Sequence, residues 1–254
     1  MRVAIAAFGL VWLGLATPTG AAELKGHIAT YALAVSHPGV EAEGQLLISA
    51  FRNCKLWTVN QTSSLELGSG GRTVLVMVQQ HKSEETVDGR SMKSSSEAIL
   101  NGQKATITSV GFASGLGKAG KIELDQGGAK RTIDLPDGAY FGIGASNKMI
   151  EALEAGKKQF AVTGFDAVGT NELLTQNYTV VASPFAAATL PEAPGLLDGA
   201  GWTVKSSFDV RGVPREVYLT VHRSGVTSRM RLQLDKITID YVLQSVQPLP
   251  AAPC

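Results

Sequence analysis

The chain has 254 residues, of which 44% are hydrophobic and 18% are charged, and its formal net charge is +1. A nearly neutral chain has no electrostatic basis for binding nucleic acid or an anionic lipid surface as its main partner. Its length is enough to bury a substantial core in one large β domain or in two small ones.

The first 22 residues have the pattern of a secretory signal peptide. Arg2 is followed by an uncharged apolar run from Val3 to Leu15, and small residues occupy positions 20–22. Such a run is too short to span a bilayer well, so we expect cleavage between Ala22 and Glu23 rather than a retained anchor. Loss of Arg2 lowers the formal charge from +1 to 0. We therefore predict a signal peptide at residues 1–22 and a mature chain of residues 23–254 outside the cytoplasm.

Strand signals dominate the N-terminal half of the mature chain. The glycine-rich segment 68–71 lacks the lysine and the following helix of a phosphate-binding loop, and it predicts a β-hairpin loop instead. Residues 74–78 are all apolar, which predicts a strand covered on both faces. The pairs Asp88-Gly89 and Asn101-Gly102, like Ser224-Gly225 further on, are typical of hairpin turns.

One segment departs from the strand pattern and predicts a short helix. Ser146 can cap its start, Met149, Ile150 and Leu153 would share one face, and Gly156 can end it. Because this apolar stripe is narrow, we expect the helix to lie against the sheet as a plug or strap.

The C-terminal part begins with a loop and continues with regular strands. Residues 183–201 hold three of the ten prolines and predict a long loop or a linker. After it, apolar and polar residues alternate over 202–210, 229–234 and 237–244, which predicts strands with one buried face each.

The two cysteines, Cys54 and Cys254, lie 200 positions apart. An isolated pair in an oxidising compartment usually forms a disulfide, with two free thiols as the alternative. A bridge would join the parts of the chain before and after the proline-rich loop. It would therefore favour one continuous, curled antiparallel sheet over two domains.

The sequence gives little support for catalysis. His27, His37, His81 and His222 have no metal-binding spacing, and no nucleophile elbow is present. Glu84 and Glu85 are neighbours on a strand and should point to opposite faces, so they are not expected to pair as acid and base. We predict no catalytic residue, no metal site and no cofactor, although a dispersed Ser/His/Asp triad stays open because triads are defined in space.

A series of short motifs runs through nearly the whole mature chain. In order, these are Leu24-Lys-Gly-His27-Ile-Ala29-Thr-Tyr31-Ala-Leu33, Cys54-Lys-Leu-Trp57-Thr58-Val59-Asn60, Asp88-Gly89-Arg90-Ser91, Leu135-Pro136-Asp-Gly138-Ala-Tyr-Phe141, Trp202-Thr-Val204, Ser224-Gly225-Val226 and the terminal Cys254. The ordered set resembles the EipB-type cell envelope integrity proteins, which are periplasmic proteins of alphaproteobacteria. The chain departs from that pattern at Ile28, at Gly142 and at Ser146-Asn147, where the family has a basic residue, a proline and a histidine.

The resemblance implies a mainly β fold: a spiral, incompletely closed antiparallel β-barrel with one short helix, stapled by a Cys54–Cys254 disulfide. It also implies a non-enzymatic periplasmic role in envelope integrity, with a periplasmic tetratricopeptide-repeat protein as a candidate partner and an apolar ligand as a further candidate. Two alternatives remain: a carrier of lipid or lipoprotein acyl chains, and a hydrolase with a dispersed site. Fold likeness alone does not decide between them.

Overall fold

A computed structural model describes residues 24–36, 40–70, 72–185, 189–199, 201–234 and 237–250. These residues form fifteen strands and one helix, α1 (Gly142–Glu154). The strands are β1 (His27–Ser36), β2 (Glu41–Arg52), β3 (Leu56–Ser69), β4 (Arg72–Thr86), β5 (Ser91–Leu100), β6 (Gln103–Ala113), β7 (Gly120–Gln126), β8 (Ala129–Leu135), β9 (Ala139–Tyr140), β10 (Gln159–Asp166), β11 (Glu172–Val180), β12 (Trp202–Val210), β13 (Val213–Val221), β14 (Thr227–Leu234) and β15 (Ile237–Pro248).

All the strands belong to one sheet, in the order β8-β7-β6-β5-β4-β3-β2-β1-β15-β14-β13-β12-β11-β10-β9. Neighbouring strands are antiparallel, except that β9 and β10 are parallel. The first strand therefore lies in the middle of the sheet, between β2 and the last strand. The two edges, β8 and β9, are consecutive along the chain but lie at opposite ends of the sheet.

The sheet curls until its two ends overlap. On one side of β10, Gly164 lies against α1, where an added Cβ would be 2.9 Å from the Cβ of Ala145. On the other side of β10, Phe165 packs in a buried cluster with Met92 of β5 and Ile122 of β7. Since adjacent residues of a strand point to opposite faces, β10 is sandwiched between the helix and the other end of the sheet. The prediction of a mainly β, incompletely closed antiparallel barrel with one short helix is confirmed.

A seam remains where the two ends meet. The guanidinium of Arg131 on β8 donates from Nη2 to the backbone oxygen of Asn171, 2.8 Å away, in the β10–β11 turn. From the same side, Gln79 Nε2 donates to Val168 O at 2.7 Å and Ser96 Oγ donates to Ala167 O at 3.0 Å. Side chains of β4, β5 and β8 thus hold the β10–β11 turn in place across the seam.

The hairpin predictions agree with the structure. Asn101 and Gly102 have positive φ angles of 48° and 82° between β5 and β6, as a type I′ turn requires. Gly89, with φ of 67°, turns the chain between β4 and β5, and Gly225, with φ of 88°, turns it between β13 and β14. The glycine-rich segment connects β3 and β4 as predicted.

Two local predictions were wrong. Val74 and Val76 of β4 are 57% and 42% exposed, so this apolar strand is covered on one face only. None of the described residues forms a second layer over the outer face of the sheet at this position, and side-chain hydrophobicity alone could not reveal that. Helix α1 begins at Gly142 rather than after Ser146, whose hydroxyl donates to Gly142 O at 3.0 Å within the first turn of the helix.

Other features of the helix and of the following loop agree with the predictions. Met149, Ile150 and Leu153 form the buried face of α1, and Gly156 follows its end with φ of 73°. The described residues between β11 and β12 form no helix or strand, and Leu196 of this loop is buried in the core. In the described part of the chain, no helix has the length and apolar character needed to cross a membrane.

Candidate ligand-binding cavity

The interior of the spiral contains a cavity of about 490 Å³. Its walls come from β3, β4 and β5 on one side and from α1, β10, β11, β13 and β14 on the other. Most of its side chains are apolar: Val59, Met92, Ile143, Ala145, Met149, Ile150, Phe165, Ala167, Val168, Leu219, Val221 and Met230. A volume between 300 and 1,000 Å³ with a predominantly apolar lining is typical of sites for small molecules.

Eight polar side chains interrupt the apolar lining, namely His81, Ser83, Glu85, Ser146, Asp166, Gln176, Tyr178 and Thr227. Three of them alternate along β4, because every second residue of a strand points to the same face. Tyr178 Oη donates to Gln176 Oε1 at 2.6 Å, and Ser206 Oγ donates to the same oxygen at 3.1 Å. Glu85 and Asp166 are the two carboxyl groups of the lining, and their surroundings differ.

Glu85 points inward from β4 and caps helix α1. Its Oε2 accepts a hydrogen bond from Ile143 N at 2.7 Å, and its Oε1 accepts one from Gly144 N at 2.9 Å. The first amides of a helix lack partners within the helix and carry partial positive charge, so a carboxylate at this position is stabilising. The structure thus explains why α1 begins at Gly142: the cap is a side chain from a distant strand, not Ser146.

Burial controls the acidity of Glu85. The side chain is only 4% exposed. Desolvation raises its pKa from an ordinary 4.5 to about 7, while the two amide hydrogen bonds act in the opposite direction. Space beside it is limited: a Cβ on Gly144 would lie 2.8 Å from Leu116 Cδ1, so the Leu116 side chain would have to shift, and 3.4 Å from Glu85 Oε1, which is an ordinary contact.

Asp166 stabilises the β10–β11 turn. Its carboxylate accepts hydrogen bonds from the backbone amides of Val168, Gly169 and Thr170 at 3.2, 3.0 and 2.7 Å. The Thr170 hydroxyl donates a fourth at 3.0 Å. These contacts commit Asp166 to its own turn, in the manner of an Asx turn. Glu85 has only two donors for its two oxygens, so the carboxylate retains acceptor capacity.

His81 also lines the cavity and contacts a serine behind it. His81 Nδ1 lies 2.7 Å from Ser96 Oγ, and Ser96 in turn donates its proton to Ala167 O at 3.0 Å. The imidazole must therefore be the donor in the His81–Ser96 contact, with its proton on Nδ1. Burial lowers the pKa of His81, and the charge of Asp166 opposes this weakly. A neutral histidine that donates to the serine cannot take the serine's proton, so the pair is arranged for structure, not for nucleophilic attack.

The second histidine–serine contact is more deeply buried. His222 Nε2 lies 3.0 Å from Ser228 Oγ, and Ser228 is 0% exposed. A serine without exposure has no route to a substrate. His27 is tied locally, since its Nδ1 donates to Lys25 O at 2.9 Å. Of the four histidines considered from the sequence, His37 lies outside the described residues.

The structure separates Glu84 from Glu85, as strand alternation predicted. Glu84 lies on the outer face, where it pairs with Lys82 Nζ at 2.8 Å, and Glu85 lies on the inner face. From the sequence, Glu85 was considered only as half of an acid–base pair, and its role as a helix cap was missed. Strand alternation predicted that the two glutamates lie on opposite faces but not which of them faces inward. The partner of Glu85 at the start of α1 had no local signal.

The predicted processing and disulfide residues are not tested by the structure. Cys54 lies in the turn between β2 and β3. Ala22, Glu23 and Cys254 lie outside the described residues. The cleavage site and the Cys54–Cys254 bridge therefore stay predictions.

The curled antiparallel sheet, the helix packed against it and the cavity between them define a β-barrel-like protein. The family model described as EipB-like matches residues 18–250, and the chain belongs to this family. This confirms the resemblance drawn from the order of the motifs. No curated protein matches the chain.

A solved structure shares the fold. The crystal structure of a β-barrel-like protein of a domain of unknown function from Brucella abortus superposes with a TM-score of 0.75 at 18% identity. The similarity covers 90% of this chain and 99% of the other. At this identity the likeness shows a common fold and nothing about ligands.

Proposed function

We propose that the mature chain, residues 23–254, is a single-domain, non-catalytic binding protein of the periplasm that supports the integrity of the cell envelope. The observation that carries the proposal is the apolar cavity of about 490 Å³ inside the spiral. Membership of the EipB-like family supports the compartment and the envelope role. A periplasmic tetratricopeptide-repeat protein is the partner that the resemblance suggests.

The cavity favours an apolar ligand as part of this function. Its lining is mostly apolar, and its polar groups are three alternating residues of β4 together with side chains from α1, β10, β11 and β14. Burying an apolar chain there contributes roughly 25 cal/mol for each Å² removed from water. A carrier of lipid or lipoprotein acyl chains would use the same cavity. This alternative therefore differs from the main proposal in that the protein would transport its ligand, not in the site that binds it.

The geometry of the serines supports a non-catalytic role. In the described residues, both histidine–serine contacts involve serines that are buried, and both of these serines also donate to a backbone oxygen. A binding protein depends on the shape of its cavity rather than on one nucleophile.

A cavity-filling variant tests the proposal. Val59→Phe places a larger side chain on the cavity wall, and Val76→Phe makes the same change on the exposed outer face of the neighbouring strand. In a strain lacking the gene and challenged with detergent, we expect Val76→Phe to restore growth and Val59→Phe to fail at equal protein abundance. Complementation by a folded Val59→Phe protein would contradict a role for the cavity, and a deletion strain that tolerates every envelope stress would contradict the envelope role.

Export requires a separate measurement. We expect the intact mass of the periplasmic protein to correspond to a chain that begins at Glu23. A mass that includes residues 1–22 would contradict the proposed processing.

A further inference from the structure

We propose that the cavity selects apolar molecules whose head group donates hydrogen bonds, such as amines or alcohols, and that it rejects carboxylates and phosphates. This inference rests on the proposed ligand-binding function and specifies its ligand class. The observation behind it is the charge of the lining. Among the described residues that line the cavity there are two carboxyl groups, Glu85 and Asp166, and neither lysine nor arginine.

The histidine of the lining does not supply the missing positive charge. Burial lowers the pKa of His81, so its imidazole is neutral at pH 7. Its Nδ1 proton is already donated to Ser96 at 2.7 Å. An anionic head group would therefore lose its hydration without gaining a cationic partner, and a buried charge without a partner is costly.

Glu85 is the carboxyl group that would accept a hydrogen bond from the head group of the ligand. Both of its oxygens accept one hydrogen bond each from α1, and each carboxylate oxygen has a second lone pair. Asp166 is saturated by four donors from its own turn. An amine or a hydroxyl near Glu85 gains a charge-assisted hydrogen bond. The carboxylate of a fatty acid or the phosphate of a phospholipid meets like charge there, and the lining offers it neutral donors, such as the hydroxyls of Ser83 and Ser146, but no cation.

Three ligands with one chain length test the selection. Decylamine, 1-decanol and decanoate, each below its micellar concentration at pH 7.5, compete with an uncharged apolar fluorophore bound to the protein. We expect the amine and the alcohol to displace the fluorophore at concentrations at least 10-fold lower than decanoate. Equal or better displacement by decanoate overturns the inference while leaving cavity binding intact. If the protein binds neither the fluorophore nor any of the three, cavity binding itself fails.

Two pairs of variants locate the selection. Glu85→Gln removes the inner charge, and Glu84→Gln makes the same change on the outer face. We expect Glu85→Gln to reduce the preference for decylamine over decanoate, and Glu84→Gln to keep it. An unchanged preference in a folded Glu85→Gln protein overturns the inference.

A gain-of-function pair keeps the test decisive if Glu85→Gln does not fold. Ser83→Lys adds a cation to the cavity wall on the same face of β4, whereas Gln80→Lys adds it on the exposed face. We expect Ser83→Lys to raise the affinity for decanoate at least 10-fold and Gln80→Lys to leave it unchanged. Equal effects of the two variants would mean that the lining charge does not control selection.

Discussion

Glu85 shows how one side chain connects distant parts of this fold. It stands on β4 between its cross-strand neighbours Trp57 and Met92, and it accepts the amides at the start of a helix 58 residues further along the chain. Alternation along the strand predicts that Glu84 and Glu85 face opposite sides of the sheet, but not which of them faces inward. The curl of the sheet brings the helix amides that donate to Glu85 beside its carboxylate, so the cap could not be predicted from the sequence.

The pH dependence of stability should report on Glu85. Because its pKa in the folded protein is raised to about 7, the folded state retains a proton that the unfolded state loses above pH 4.5. The contribution of Glu85 is therefore most favourable below pH 4.5 and falls as the pH rises towards 7, by roughly 3 kcal/mol. We expect the difference in urea-unfolding free energy between wild type and Glu85→Gln to show this fall.

The matched control for this experiment is Glu84→Gln. Lys82 lowers the pKa of Glu84, which lies on the outer face. The Glu84→Gln variant should therefore keep the decrease in unfolding free energy with rising pH that Glu85 causes. If Glu85→Gln and Glu84→Gln had the same pH profile, the titration of Glu85 would not govern stability between pH 5 and 7.

A second prediction at this scale concerns Ser96. If its contact with His81 is structural, Ser96→Ala leaves a buried imidazole N–H without its acceptor, which costs about 1–3 kcal/mol. We expect a lower unfolding free energy together with normal complementation of a deletion strain. Ser95→Ala, at the adjacent exposed position, should change neither. Loss of complementation by a stably folded Ser96→Ala protein would favour the hydrolase hypothesis.

At the level of elements, hydrophobic alternation predicted strands and turn residues predicted hairpins, because both depend on neighbours in sequence. Two predictions made from such local patterns were wrong. Residues 74–78 look like a strand buried on both faces, but no layer of described residues covers Val74 and Val76. The start of α1 is set by Glu85 rather than by Ser146. Both errors arise because the surroundings of an element are formed by residues distant in sequence, which local patterns do not report.

Helix α1 should depend on its buried face. Leu153 is 3% exposed and packs in a cluster with Val162 and Tyr178, but it does not line the cavity. Truncating a buried leucine to alanine typically costs about 2–5 kcal/mol. We expect a loss of this size for Leu153→Ala, measured by urea unfolding.

The control on the same helix is Glu151→Ala. This residue pairs with Lys148 at the surface at 3.1 Å, and exposed pairs of this kind contribute little, about 0–1 kcal/mol. Similar losses for Leu153→Ala and Glu151→Ala would mean that α1 is not anchored by its apolar face.

At the level of the whole molecule, the sequence predicted a curled antiparallel sheet, and the family resemblance supplied the spiral. The overlap of the two sheet ends could not be predicted from either face pattern, because β10 packs on one face against the neighbouring helix α1 and on the other against strands of the N-terminal half of the sheet, which are distant in sequence. Phe165 contacts the N-terminal half of the sheet, and Gly164 faces α1. The cavity exists because of this overlap, so its lining also lay beyond sequence patterns.

The proposed Cys54–Cys254 bridge would act on the whole molecule. A loop of about 200 residues gives a stabilisation of about 5 kcal/mol as an upper figure, since it restricts the unfolded chain. We expect the Cys54→Ser/Cys254→Ser double variant to melt at least roughly 5 °C lower and to complement a deletion strain poorly through reduced abundance. The same fall should follow reduction of the wild type. Complete thiol labelling of the non-reduced wild-type protein would contradict the bridge.

The position of β1 in the middle of the sheet has a consequence for the order in which the protein can be assembled. β1 pairs with β2 on one side and with β15 on the other. The side of this ten-residue strand that pairs with β15 therefore has no partner until the last strand has been made. Until then the sheet is in two parts: β1–β8, which extends from the centre to one edge, and β9–β14, which extends from the other edge to the centre. Closure of the centre is a contact of very long sequence separation, which slows folding and prolongs the exposure of strand edges. A newly made chain is therefore most vulnerable to aggregation immediately before its C-terminal strand arrives.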